Sequence, residues 1–334
     1  MILAAALGNT IEMFAVNLSA TRTPARLFRG TGRWIAVTLA CCLGAGCSIK
    51  RMAVNKLGDA LAGGGTTFSS DDDPELVKAA VPFSLKLMES LLAESPQHYG
   101  LLFATASGFT QYAYAFVQQD ADETEDRDAA AADALRARAR KLYLRARDYG
   151  LRGLDAKHPG FEAALRKNPT EAVRLARKAD VGLLYWTGVS WAAAISVSKD
   201  RPELIADRST AEALIDRALE LDEAFDAGAI HSFLITYEMA RVGAPGNPEA
   251  RSRRHFERAM ELSHGKLAGP LVSLAEAVCV EKQDKAEFRS LLERALAVNP
   301  DAAPESRLVN LVMQRRARWL LAKTDDLFFE AKEK

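Results

Sequence analysis

The chain has 334 residues, 49% of them apolar, which is enough for one large or two ordinary domains with a real core. Lys plus Arg (44) equals Asp plus Glu (44), and the formal net charge is zero. This balance excludes a nucleic-acid binder built on a dominant basic field, and the apolar share excludes wholesale disorder. Alanine is abundant and β-branched residues seldom run together, so the composition leans towards helix.

Arg22, Arg26, Arg29 and Arg33 precede an apolar run over 34–43, and Gly44, Ala45, Gly46 and Cys47 follow it. Charged, apolar, then small is the order of a secretory signal. The apolar core is about half as long as the ~20 residues a spanning helix needs. A second apolar stretch within the first 20 residues is more than a signal requires, so Met13 is an alternative start. The small residues before Cys47 resemble a bacterial lipobox, although Leu43 stands one place further back than the lipobox leucine. The expectation is a signal peptide over 1–46, acylation at Cys47, and a lipidated tether with a first turn over 47–74. Cys41 and Cys42 fall inside the leader, which leaves Cys279 as a lone, small core residue.

A single helical repeat domain is expected over 75–330. Asp71, Asp72, Asp73, Pro74 and Glu75 form an N-cap signature with an acidic first turn. Leu85, Leu87, Met88, Leu91 and Leu92 keep helical spacing up to Ser95 and Pro96. An aromatic helix over 101–117 precedes a polar segment over 118–128, and a long Ala/Arg-rich helix covers 129–154. Pro159 and Pro169 punctuate a linker with one short helix. Helices are then expected over 181–197, 209–221, 227–241, 250–262, 270–280, 285–298 and 305–327. No alternation long enough for a strand occurs, so the fold class is all-α.

Periodicity adds an architecture. Ala139/Tyr143/Ala146, Ala211/Ile215/Ala218, Ser252/Phe256/Ala259 and Phe288/Leu292/Ala295 repeat one pattern of small and large residues. That is the pattern of the second helix of a tetratricopeptide repeat. The last alanines, at 146, 218, 259 and 295, are separated by 72, 41 and 36 residues, one double period and two single ones. Small residues let antiparallel helices approach, and the large one fills the gap to the next pair. The expected fold is therefore a compact helical array of degenerate tetratricopeptide-like pairs, with insertions near 118–128, 198–208 and 242–249.

Several stretches carry a family likeness. They are 46–62 around Cys47, 71–76, 87–91, 106–116 with Phe109 and Tyr112, and 314–321 with Trp319. Together they resemble the T component associated with tripartite ATP-independent periplasmic (TRAP) transporters. The resemblance implies a periplasmic lipoprotein built from cryptic tetratricopeptide repeats, forming a trimeric ring with a central pore and a ligand cleft in each subunit. It also implies a partner, the solute-binding P component, which captures an organic acid or apolar ligand. Anchoring is expected by lipid alone, at the outer rather than the inner membrane. The alternative is a structural tetratricopeptide scaffold lipoprotein of the envelope.

No catalytic constellation is legible. His98, His158, His231, His255 and His264 are scattered, and none sits in a metal or nucleophile motif. Gly63, Gly64 and Gly65 lack the strand and the lysine of a phosphate loop. The expectation is a non-enzyme with no cofactor, no metal and no nucleic acid. Two aromatic clusters stand out, Phe109, Tyr112, Tyr114 and Phe116 in one and Tyr185, Trp186 and Trp191 in the other. Core packing accounts for both, but aromatics on first helices also face the concave side of such arrays. Phe109, Tyr112, Tyr185, Trp186 and His231 are the candidates for a cleft or pore lining.

Overall fold

The computed structural model describes residues 52–329 apart from 64, 65 and 199. Cys47 and the leader lie outside the described residues. Eleven principal helices carry the body: α1 (52–62), α2 (Pro74–Glu94), α3 (Tyr99–Tyr112), α4 (Ala129–Lys157), α5 (Val181–Ser196), α6 (Arg208–Leu221), α7 (Phe225–Ala240), α8 (Pro248–Leu262), α9 (Gly269–Leu274), α10 (Lys285–Ala297) and α11 (Arg307–Ala322). No strand occurs among the described residues. The fold is an all-α helical array.

Local chemistry sets several of the ends. Asp73 caps α2 by accepting from the Glu75 and Leu76 amides, with Pro74 in the first turn where no amide is needed. Asp128, Asn247 and Asp284 cap α4, α8 and α10 in the same way. Residues 52–62, part of the expected tether, are helical. Ser95 Oγ donates to Asn55 Oδ1 at 2.8 Å, and the His98 ring lies 3.2 Å from the Asn55 carbonyl. The expected polar gap over 118–128 also differs. α3 runs on through a π-helical turn, Ala113–Gln118, and ends only at Thr124. A second π turn, Ala275–Cys279, prolongs α9.

From α3 onward, odd-numbered helices are first helices and even-numbered ones are second helices. Each second helix packs against the first helices on either side of it. First helices also contact one another in order, α3 with α5, α5 with α7, α7 with α9 and α9 with α11, so the array has two layers. All four second-helix motifs lie on the packed face. Only Phe256 among their twelve residues is half-buried. Close approach needs the small residues. A Cβ at Gly150 would lie 2.1 Å from Thr187 Oγ1, and one at Gly188 would lie 2.6 Å from Ile215 Cγ1. Fully buried leucines such as Leu183, Leu184 and Leu214 line these crossings, each contributing about 1.5–3 kcal/mol of burial.

The two ends of the array meet. The Leu308 amide donates to the Ser69 carbonyl at 2.9 Å. Arg315 pairs with Asp120 and Glu123 at 2.7 and 2.6 Å, and Lys323 pairs with Asp126. Arg316 reaches Asp122 at 2.9 Å and Glu276 on the second π turn, so one buried guanidinium bridges the extensions of α3 and α9. The acidic run 120–126 is therefore neutralised by α11 rather than left as a solvated loop.

Candidate functional site

With the second helices covering one face, the first helices keep a solvent-facing stripe on the other. On α5 that stripe is Gly182, Trp186, Val189, Ala193 and Ser196, spaced by three and four, and none of these residues is fully buried. Thr187 faces α4, Gly188 faces α6, and Gly182 abuts Phe103 of α3, which fixes the rotation of the helix. On α7 the half-buried Phe233 stacks on Tyr237 at 5.4 Å, and the Tyr237 hydroxyl donates to Glu212 of α6 at 2.9 Å, so this pair lies at the seam with the second helices. On α3 the exposed large side chain is Tyr114, whose hydroxyl points to Met313 of α11 at 3.8 Å. Tyr114 and Trp186 are therefore the large aromatic side chains that α3 and α5 leave accessible.

The candidates from sequence separate on this frame. Phe109 and Tyr112 are buried in a core cluster with Ala139, Tyr143 and Ala146. Phe109 stacks on Tyr149 at 6.2 Å, and the Arg138 guanidinium lies 6.0 Å from the Tyr112 ring. Tyr185 is buried too, and its hydroxyl donates to the Ala229 carbonyl at 3.2 Å. It stands edge-on to half-buried Trp186 at 4.9 Å and tilted against Phe225 at 5.7 Å. Tyr185 and Trp186 thus meet at the α5–α7 junction, in a core cluster separate from that of Phe109 and Tyr112. Sequence reasoning missed Phe225, Asp226 and Phe233. It named Tyr114 in a cluster without singling it out.

The start of α7 is strained. Asp226, Ala227 and Gly228 all adopt left-handed conformations, with φ of 47°, 52° and 85°. Each non-glycine residue held there costs on the order of 1–3 kcal/mol, and such strain survives only where the surroundings impose it. At Gly228 packing imposes it, since a Cβ there would lie 3.0 Å from the Leu262 Cβ.

His231 is buried one turn further on, its Nδ1 2.8 Å from Nδ1 of His255 on α8. One Nδ1 must donate and the other accept, so the two rings cannot both be protonated. Desolvation, reinforced by His231, pushes His255 down to about 4, and desolvation lowers His231 despite Glu223 beside it. Both folded values lie below the unfolded imidazole value. The pair's stability is therefore complete above 6.5 and is lost as the pH falls towards about 4. The loss should reach up to about 3 kcal/mol. Melting of wild type and His255→Leu across that window tests it: their difference should shrink on acidification, and a constant difference would refute the account.

Among the described residues no group of three or more His, Cys, Asp or Glu side chains could hold a metal ion. Cys279 is fully buried, and desolvation with Glu287 beside it pushes the thiol up to about 12, so it is inert. No helix of the described residues is long and apolar enough to cross a membrane.

Residues 70–328 match the family described as TRAP transporter T-component. A Treponema pallidum (strain Nichols) protein, described as an uncharacterized protein, is 31% identical over 312 residues, covering 87% of this chain and 95% of its own.

Proposed function

The chain belongs to the TRAP transporter T-component family, and from that membership we propose that it is a periplasmic interaction module, lipid-anchored through Cys47. It docks the solute-binding P component of a TRAP-type transporter and receives or passes that component's ligand. The observation that carries this reading is the accessible aromatic pair Tyr114 and Trp186 on the first helices α3 and α5. Half-exposed aromatic side chains on a rigid helical scaffold are the usual anchors of protein and ligand recognition. Three copies form the working unit, and acyl chains at Cys47 hold it at the outer membrane.

The test is a pulldown of the full chain from membranes of its own cell, with Trp186→Ala and Tyr114→Ala alongside. Wild type should retain a solute-binding protein, and both variants should lose it while melting within a few degrees of wild type. Retention of no solute-binding protein by wild type would leave the envelope-scaffold reading instead. In parallel, Cys47→Ala should move the protein from the membrane to the soluble periplasmic fraction. An unchanged partition would overturn the anchor.

A further inference from the structure

We infer that α1 lies on the phospholipid surface as an interfacial helix, with Met52 and Leu57 entering the headgroup layer. The inference rests on the acylation of Cys47 and adds a protein–lipid contact that the acyl chains themselves do not supply.

The tether is short. Because 52–62 is helical, only residues 48–51 separate Cys47 from the helical body. The five peptide steps from Cys47 to Met52 span at most about 18 Å, at ~3.6 Å per residue. Acyl chains at Cys47 therefore keep the start of α1 within that distance of the bilayer. No other helix is tied so closely to the anchor along the chain.

Packing fixes which side of α1 turns inward. Val54 and Leu61 pack on the cluster of Leu91, Leu92, Leu101 and Leu102. A Cβ at Gly58 would lie 2.8 Å from Leu101 Cδ1, so α1 sits directly against α3. His98 holds the same side. Its Nδ1 accepts from the Leu101 amide at 3.2 Å, so its Nε2 carries the proton. That nitrogen faces the Asn55 carbonyl at 3.2 Å and the Asp59 carboxylate at 3.3 Å. With the Asn55 side chain also bonded to Ser95, the rotation of the helix is settled.

The outward side is apolar and cationic. Met52, Ala53, Lys56, Leu57 and Ala60 recur at helical spacing, and all five are exposed. Met52 and Leu57 are 60% and 47% exposed, large apolar side chains at the point nearest the anchor. Lys56 stands between them, and Lys50 and Arg51 precede the helix in sequence. The one carboxylate of α1, Asp59, is the group drawn to His98. On an interfacial helix, apolar side chains of this kind enter the acyl boundary while the cations meet lipid phosphates. Lipid is favoured over a folded partner because a gap of at most about 18 Å is narrower than the ~30 Å of a small domain. Two apolar side chains are too little to hold the protein by themselves, so Cys47→Ala still releases it.

The test uses the full chain as acylated in the cell, reconstituted into phosphatidylethanolamine–phosphatidylglycerol vesicles whose acyl chains are brominated near the headgroup. Cys279 is fully buried, Cys47 is acylated, and Cys41 and Cys42 leave with the leader, so Leu57→Cys takes a maleimide dye at one place. That label should be blue-shifted and lose most of its fluorescence to the bromine, and a label on Met52→Cys should match it. A label on Val242→Cys, 73% exposed in the α7–α8 loop, should keep its fluorescence. Met52→Glu should cut the quenching at 57 while the protein still floats with the vesicles. Protein that floats with its label at 57 no more quenched than at 242 would overturn the contact and leave the anchor standing. A blue shift at 57 without quenching would overturn it too, by putting protein rather than lipid on α1. Protein that fails to float would overturn the anchor at Cys47, and this contact with it.

Discussion

Alanine in place of Glu238 is expected to cost about 3–5 kcal/mol, because it strands a buried guanidinium. Glu238 sits on α7 with only 3% of its surface exposed, and it accepts from Arg251 Nε at 2.5 Å and from Arg241 Nη1 at 3.0 Å. Arg251 is buried as well, and its other donors reach the Pro245 and Gly246 carbonyls at 2.9 Å, tying the α7–α8 loop down. Against desolvation, the two arginines hold the Glu238 carboxyl below its usual range. Removing the acid leaves Arg251 with carbonyls alone, which solvate a cation but do not neutralise it. Urea unfolding should show a lower midpoint with an unchanged slope. The double variant Glu238→Leu with Arg251→Met should recover most of the loss, since paired removal of a buried ion pair is often neutral. Glu162→Ala, which breaks an exposed pair with Arg166, should change little. A loss at Glu238 no larger than that at Glu162 would refute the assignment.

The second helices are the most legible part of the sequence because their pattern is a packing rule. Ala139, Tyr143 and Ala146 are buried together because small, large and small residues at that spacing share one face. Asp73 likewise reads as a cap, since a short acceptor side chain followed by proline before a helical run has few other roles. The acidic run 120–126 is not legible as helix. Its charges are offset by Arg315, Arg316 and Lys323, almost two hundred residues away, and no local window contains that pairing. The π turns are hidden for a related reason: one inserted residue leaves composition and approximate spacing intact while rotating the helix beyond it. The left-handed start of α7 carries one signal, Gly228, but nothing in the sequence marks Asp226 and Ala227 as sharing its conformation.

Trp191→Ala should be the largest single-residue loss among the aromatics, about 3–5 kcal/mol. The ring is 7% exposed in the core between α4, α5 and α6, three residues after Gly188, with the Arg147 guanidinium 4.9 Å above it. Gly188 brings α6 close, so α5 cannot shift to fill the void that alanine leaves. Trp191→Phe is the control. It keeps most of the apolar bulk and removes an indole N–H that finds no acceptor among the described residues, so it should cost far less. Tyr112→Ala and Tyr185→Ala should fall near Trp191→Ala, because both rings are buried and Tyr185 also loses its bond to the Ala229 carbonyl. Trp186→Ala should separate from all three. Its ring is only half-buried, so its stability cost should be on the order of 1–2 kcal/mol, while retention of the solute-binding partner falls out of proportion. Thermal melts of these variants beside the pulldown decide it. If Trp186→Ala loses binding only as far as it loses stability, the ring is a core edge and the docking surface lies elsewhere on the array.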